Sequence, residues 1–327
     1  PWGLIALLVV GMTISFFDRG NLSVAAPVIG PELGIKPTEF GWLFSAFFFT
    51  YAFCQIGVGW LCDRIDVKWV YAGGFLLWSL ATLAMGFFTT FAAFFTLRLL
   101  LGLGESVAYP ATSRILAENL PEDRRGLANG LIDAGSKLGP ALSTLLGGLV
   151  VAQFGWRALF LGLGVVSLFW LIPWITMVPS AERTSPTSNA APAEPAITLL
   201  ELLRHREVWG TSLGLFCHSF VWYFLLSWLP SYLVEARGFS LSSMAVLGSL
   251  PFLAMAGTAW AQGAVTAADL ARLDASLAVV TKQVTALKDI DPTKAKDAEG
   301  TLAAIQEDLT YLKVKLRREG TVPAGVA

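Results

Sequence analysis

Long apolar runs separated by short polar breaks organise most of this chain, and their lengths are the first clue to its solvent. Eight such runs cover residues 3–29, 40–62, 69–88, 91–116, 127–154, 156–178, 209–234 and 243–262. Each approaches or exceeds the roughly 20 residues that a helix needs to cross about 30 Å of hydrocarbon. Between the sixth and seventh, residues 179–196 hold four prolines among Ser, Ala and Glu. That composition buries too little apolar area to fold and reads as a linker. Beyond residue 262 the period changes. Leu270, Leu273, Leu277, Val280, Val284 and Leu287 alternate steps of three and four, and Leu302, Ile305, Leu309, Leu312 and Leu316 do the same. The spacing predicts two helices with an apolar heptad seam, separated at Asp289-Ile290-Asp291-Pro292. Thr266 with Asp269 can cap the first, and Gly320 can end the second.

Composition sharpens the boundary. The 327 residues are 55% apolar and only 14% charged, with a mean hydropathy of +0.62. A soluble domain carries about 25% charged residues, so the chain reads as a membrane protein. Its average hides two regions: residues 1–262 are about 11% charged and hold all 12 tryptophans, whereas residues 263–327 are about 28% charged. The change near Gln262 is a change of solvent. A net charge of -1 gives no basic excess and excludes nucleic acid as a partner. Cys54, Cys62 and Cys217 match neither a disulfide framework nor a metal site and read as core fillers. No cofactor or metal is implied.

Arg64, Lys68, Arg114, Arg124, Arg125, Arg183, Arg204 and Arg206 fall on one side of the alternating spans, against Lys36, Arg157 and Arg237 on the other. The positive-inside bias puts the first group, the N-terminus and the linker in the cytoplasm, in a multi-pass protein of the cell's inner membrane. The chain begins at Pro1, so a short basic leader is expected to be missing.

The segment from Gly59 to Lys68, between the second and third spans, resembles the G-x-L-x-D-R-x-G-R-K signature of the major facilitator superfamily. The resemblance makes Asp63 and Arg64 part of a cytoplasmic latch in which the aspartate pairs with basic residues of neighbouring helices. Asp66 stands where a glycine is expected and Val67 where a basic residue is, which implies a shifted turn and a weaker latch. Asp18-Arg19-Gly20-Asn21 in the first span, and the stretch from Arg98 to Glu105 in the fourth, resemble the paired signatures of the anion:cation symporter branch. That branch includes hexonate and hexuronate transporters and vesicular glutamate and sialic acid carriers. The resemblance covers most of residues 1–258 and takes in Phe216-Cys217-His218-Ser219, the stretch from Trp228 to Leu233, and Ser249-Leu250-Pro251.

Residue physics points the same way. An ionised side chain at the bilayer centre costs at least about 2.5–3.5 kcal/mol, so such groups face a cavity or a partner. Arg98 and Glu105 are two helical turns apart on one face and can line one cavity. The planar fork of Arg19 or Arg98 can bind a carboxylate bidentately, which lysine cannot. A buried carboxylate beside such a guanidinium binds its proton more or less tightly according to whether an anion occupies the guanidinium. By resemblance, Asp18 and Glu105 are the proton-coupling sites. The same four residues can instead be structural ion pairs, Asp18 with Arg19 or Arg98 with Glu105, and both roles can coexist.

Weaker candidates for substrate contact are Lys137, an i,i+4 partner of Asp133 beside Gly135-x-x-x-Gly139-Pro140; Tyr51; and His218, where the vesicular glutamate carriers have arginine. His205 reads as a solvated residue of the linker.

The fold expected is an all-α membrane protein. Residues 1–178 form the N-terminal six-helix bundle of a major facilitator fold, 179–204 a cytoplasmic linker, 205–262 two spans of a second half, and 263–327 a soluble heptad-patterned helical hairpin. The function expected is secondary active transport of a small organic anion, a sugar acid by resemblance, coupled to protons, with the lipid bilayer as solvent and no enzymatic activity. Family members have twelve spans, so the expectation is a truncated or fused chain, inactive alone, with a helical partner for residues 265–319. Two alternatives stay open. One is a non-transporting anchor for a coiled-coil adaptor. The other is an artefactual join to an exported helical protein, because Ala259-Trp260-Ala261 resembles the end of a secretory signal.

Overall fold

The computed structural model describes residues 2–179, 204 and 206–261, and beyond them separate positions between 264 and 323. Ten α-helices are described within residues 2–261: α1 (Trp2–Leu33), α2 (Pro37–Arg64), α3 (Val67–Met85), α4 (Phe91–Glu105), α5 (Ala108–Asn119), α6 (Glu122–Leu142), α7 (Gly148–Phe154), α8 (Trp156–Met177), α9 (Arg206–Ser231) and α10 (Leu241–Ala261). Pairs of these merge into longer spans: α4 with α5, and α6 with α7. Seven stretches are long and apolar enough to cross a membrane. The eighth, Leu241–Gly257, is apolar but shorter, so seven of the eight expected spans reach that length among the described residues.

Local chemistry sets the helix ends. Pro37 opens α2, and the Glu39 carboxylate accepts from the Lys36 amide at 2.8 Å. Thr90 caps α4 by accepting from the Ala93 amide. Asp66, the departure from the loop signature, caps α3 by accepting from the Lys68 amide at 3.0 Å. The aspartate therefore supplies a helix start where the signature has a glycine turn. Gly155, at φ +81°, is the only residue between α7 and α8, and a side chain there would be strained. Two π-helical turns, Ser143–Gly147 and Tyr232–Ala236, follow Pro140 and Pro230, where the missing N–H has already disturbed the i→i−4 ladder.

Packing follows small residues. α1 lies against α6, where a Cβ on Gly139 would stand 2.7 Å from the Thr13 carbonyl and 2.6 Å from the Phe16 Cβ. α2 lies against α4, where a Cβ on Gly102 would stand 2.2 Å from the Phe47 carbonyl. α3 is clamped to α8 by stacked rings, with Phe75 on Trp170 at 4.1 Å and Tyr71 on Trp174 at 4.6 Å. α9 packs on α1, and α10 on α6. Of the three cysteines only Cys62 is buried. The core-filler reading is corrected for Cys217, which is exposed because only part of the circumference of α9 is covered by other described elements.

The expected linker and His205 lie outside the described residues, as do Thr266, Asp269, residues 289–292 and Gly320. Beyond residue 261, Ala264–Val265 pairs antiparallel with Val322–Pro323, and Lys313 forms an ion pair with Asp274. A heptad coiled coil is not supported there. Among the described seam residues, Leu302 and Leu309 are buried, Leu277 and Val284 half-buried, and Leu273, Val280 and Ile305 exposed.

Candidate functional site

The four charged residues expected at mid-span are all buried, and Asp18 and Glu105 have no exposed surface at all. Their pairing differs from both within-helix alternatives. Arg19 on α1 donates from Nε to Glu105 Oε2 on α4 at 2.8 Å, and the Ser15 hydroxyl donates to the same oxygen at 2.7 Å. Ser15 precedes Arg19 by one helical turn, so both reach α4 from one face of α1. Arg19 also donates from Nη1 to the Tyr223 hydroxyl of α9 at 3.2 Å. Its guanidinium sits over the rings of Phe16 at 4.2 Å and Tyr51 at 4.4 Å.

Asp18 points elsewhere. Its Oδ1 accepts from Thr82 of α3 at 2.6 Å and from Asn21 at 2.9 Å. Arg98 donates from Nε to the Leu43 carbonyl of α2 at 3.2 Å. Arg19 and Arg98 both lie over the Phe47 ring, with their guanidinium carbons 5.2 and 5.1 Å from its centroid. Among the described residues, Arg19 Nη2, Arg98 Nη1, Asp18 Oδ2 and Glu105 Oε1 are buried with no hydrogen-bond partner. A buried charge with unused hydrogen-bonding capacity is expensive, so each marks a place where a ligand or a proton gains most.

Tyr51 joins the cluster by its ring, which stacks on Phe47 at 5.3 Å. Lys137 does not reach it: its amine pairs with Asp133 at 3.3 Å and lies 4.8 Å from the Trp222 centroid. His218 is exposed on α9, outside the cluster. Asp63 accepts from Arg114 of α5 at 3.1 Å, in an exposed pair at one end of the bundle. Arg64 lies over the Trp60 ring instead. At the opposite end Glu32 joins α1 to α8, accepting from Trp156 and Arg157 at 2.8 Å.

Ser15, Thr82, Phe47 and Tyr223 escaped the sequence reading because uncharged residues in apolar spans carry no mark of their partners. Only the i−4 step from Arg19 could have singled out Ser15. Beside the cluster, a groove of about 440 Å³ opens between α2 and α9, lined by aromatic rings together with Ser45, Ser219 and Ser227. Tyr223, the partner of Arg19, lines it too.

Residues 8–272 match the Major Facilitator Superfamily. The chain belongs to that superfamily. Over 254 residues it is 35% identical to a probable sulfoacetate transporter of Cupriavidus necator, covering 74% of this chain and 59% of the relative. Over 257 residues it is 30% identical to the hexuronate transporter of Bacillus subtilis, covering 76% and 60%. A D-galactonate transporter of Escherichia coli O6:H1 is also 30% identical, covering 76% and 63%. The chain thus spans about three-fifths of the length of these relatives, which fall in the organic-anion branch that its charged motifs resemble. Among solved structures, a bacterial homolog of the human lysosomal transporter Spinster, inward-facing and unoccupied, shares the fold with a TM-score of 0.66 at 19% identity, covering 88% of this chain and 63% of that one. This superfamily member is a multi-pass membrane protein and not an enzyme.

Proposed function

We propose that the chain carries the anion-binding and proton-coupling half-site of a symporter for small organic anions, a sugar acid or a similarly sized sulfonate. The observation that carries this reading is the buried triangle of Arg19, Arg98 and Glu105. Arg19 holds Glu105 through one nitrogen while its Nη2, like Nη1 of Arg98, has no partner among the described residues. An anion docking against these nitrogens competes with Glu105 for the charge of Arg19. Glu105 then binds a proton more readily, so anion and proton occupy the site together. Asp18, held by Thr82 and Asn21, is the second proton site. The Phe47 and Tyr51 rings exclude water from the guanidinium planes, which strengthens the interaction with a carboxylate. Asp63 with Arg114 acts as the latch at the basic end, which lies in the cytoplasm of the inner membrane with the N-terminus.

The transport cycle of such proteins needs a site between two six-span halves, so binding is the measurement suited to this chain. Galactonate, a hexuronate and sulfoacetate are titrated against the full chain in lipid nanodiscs, read by tryptophan fluorescence at several pH values. At least one should bind, and more tightly as pH falls. Arg98→Lys keeps the charge but loses the fork, and should weaken binding by about tenfold or more. Glu105→Gln, which mimics the protonated acid, should bind with reduced pH dependence. Failure of all three anions to bind overturns the reading, and equal affinity in Arg98→Lys removes the clamp.

A further inference from the structure

Glu105 has no exposed surface, and Arg19 stands between it and the α2–α9 groove, with one nitrogen on the carboxylate and another on Tyr223 of the groove wall. A proton approaching from the groove meets that guanidinium, whose charge repels it in a low-dielectric interior. The other side of Glu105 is different. The Tyr71 hydroxyl of α3, the Thr112 hydroxyl of α5 and the Trp170 Nε1 of α8 are all buried there with no hydrogen-bond partner among the described residues. Tyr71 and Thr112 lie side by side, their hydroxyls close enough to interact although the geometry is not that of a well-formed hydrogen bond. Buried polar groups with unused hydrogen-bonding capacity hold ordered water where several of them converge.

Their order along the bundle matters as much as their burial. A Cβ on Gly11 would lie 2.9 Å from the Tyr71 hydroxyl, which places that hydroxyl at the level of Gly11 on α1. Ser15, whose hydroxyl holds Glu105, is one turn further along, about 6 Å by helical rise. On the other helix, Thr112 follows Glu105 by seven residues, and Arg114, in the exposed pair with Asp63, follows Thr112 by two. The chain of groups therefore runs from Glu105 toward the basic end of the bundle and finishes at the level of an ion pair that solvent reaches. Gly11 supports this alignment, because any larger residue there would crowd both Tyr71 and Trp170, whose Cζ2 lies 3.0 Å from the same Cβ position.

We infer that the neighbouring Tyr71 and Thr112 hydroxyls, joined by ordered water to Glu105 on one side and to the basic end of the bundle on the other, form a proton path separate from the route the anion takes. Each hydroxyl accepts a hydrogen from one neighbour and donates its own to the next, so the proton moves with no net change on either side chain. Trp170, a donor only, orients a water and transfers nothing. Tyr71 and Thr112 are relay residues. This inference rests on Glu105 being a protonation site, as proposed above.

The test uses the full chain in nanodiscs and follows the carboxyl C=O infrared band that disappears in Glu105→Gln, after a rapid pH jump. Tyr71→Phe and Thr112→Val each remove one hydroxyl with little change of shape. Each should slow protonation by about tenfold or more while leaving the equilibrium midpoint and the thermal unfolding of the chain unchanged. Thr112→Ser restores a hydroxyl and should restore the rate. Unchanged rates in both variants overturn the path and leave the protonation site standing. Slower rates accompanied by a shifted midpoint and lowered unfolding temperature overturn it too, since a merely structural role gives that result. Absence of any pH-sensitive Glu105 band overturns the path and the underlying proton reading together.

Discussion

The bundle of α1 to α8 and the pair α9–α10 are built from similar apolar sequence, yet the structure treats them differently. In the third span, Val67–Met85, 61% of the apolar window is buried, against 11% in the seventh, Val208–Ala236. Hydropathy cannot explain this, because the seventh span is slightly the more apolar of the two. What differs is the number of neighbours each helix has within the described residues. α3 is held by α4, α5 and α8, while α9 meets chiefly α1 and buries only a stripe around Trp222 and Leu226. Its remaining face presents Leu213, Phe216, Phe220 and Phe224, side chains that lipid or another apolar surface can cover. An apolar helix in a membrane protein thus declares its solvent but not its partners.

The sharpest way to break this comparison is to add bulk at matched glycines. Gly102→Val drives a side chain into the Phe47 carbonyl, 2.2 Å from the new Cβ, and should cost more than the about 1–3 kcal/mol of ordinary overpacking. Gly214→Val on α9 meets nothing within 4 Å among the described residues and should be neutral. Size-exclusion profiles in detergent report both, and a monodisperse Gly102→Val variant would remove the distinction.

A smaller effect is expected from the link between the two regions. Arg19→Met leaves the Glu105 carboxylate buried without its partner and should destabilise the bundle by about 3–5 kcal/mol. Tyr223→Phe removes only the 3.2 Å hydrogen bond from α9, about 0.5–1.5 kcal/mol. Thermal unfolding followed by tryptophan fluorescence ranks them. Equal losses would mean that α9 is as integral to the cluster as α4.

The smallest change concerns the exposed pair at the basic end. Asp63→Asn should alter stability by less than about 1 kcal/mol, and the difference should vanish in high salt. A stability loss that persists at high salt would place Asp63 inside the bundle's core energetics and count against a latch that must open easily.

By itself the sequence determined the solvent, seven of the eight expected spans and the charged quartet. Run length, charge density and the cost of a mid-span charge are properties of each segment alone. Resemblance to a known superfamily added the order of helices. It did not determine who pairs with whom. Arg98 and Glu105 share a face as their spacing requires, yet Glu105 bonds Arg19 and Arg98 bonds the Leu43 carbonyl. That choice depends on how α1 and α4 are seated on their own neighbours, α1 against α6 at Gly139 and α4 against α2 at Gly102, where the backbones approach closely. For the same reason Thr82 and Ser15 entered the site unannounced, and Lys137 and His218 stayed out of it. A seam of leucines beyond residue 262 likewise fixed a periodicity without fixing a partner. Side-chain spacing along one helix is written locally, whereas contacts between helices arise only when several surfaces are fitted together at once.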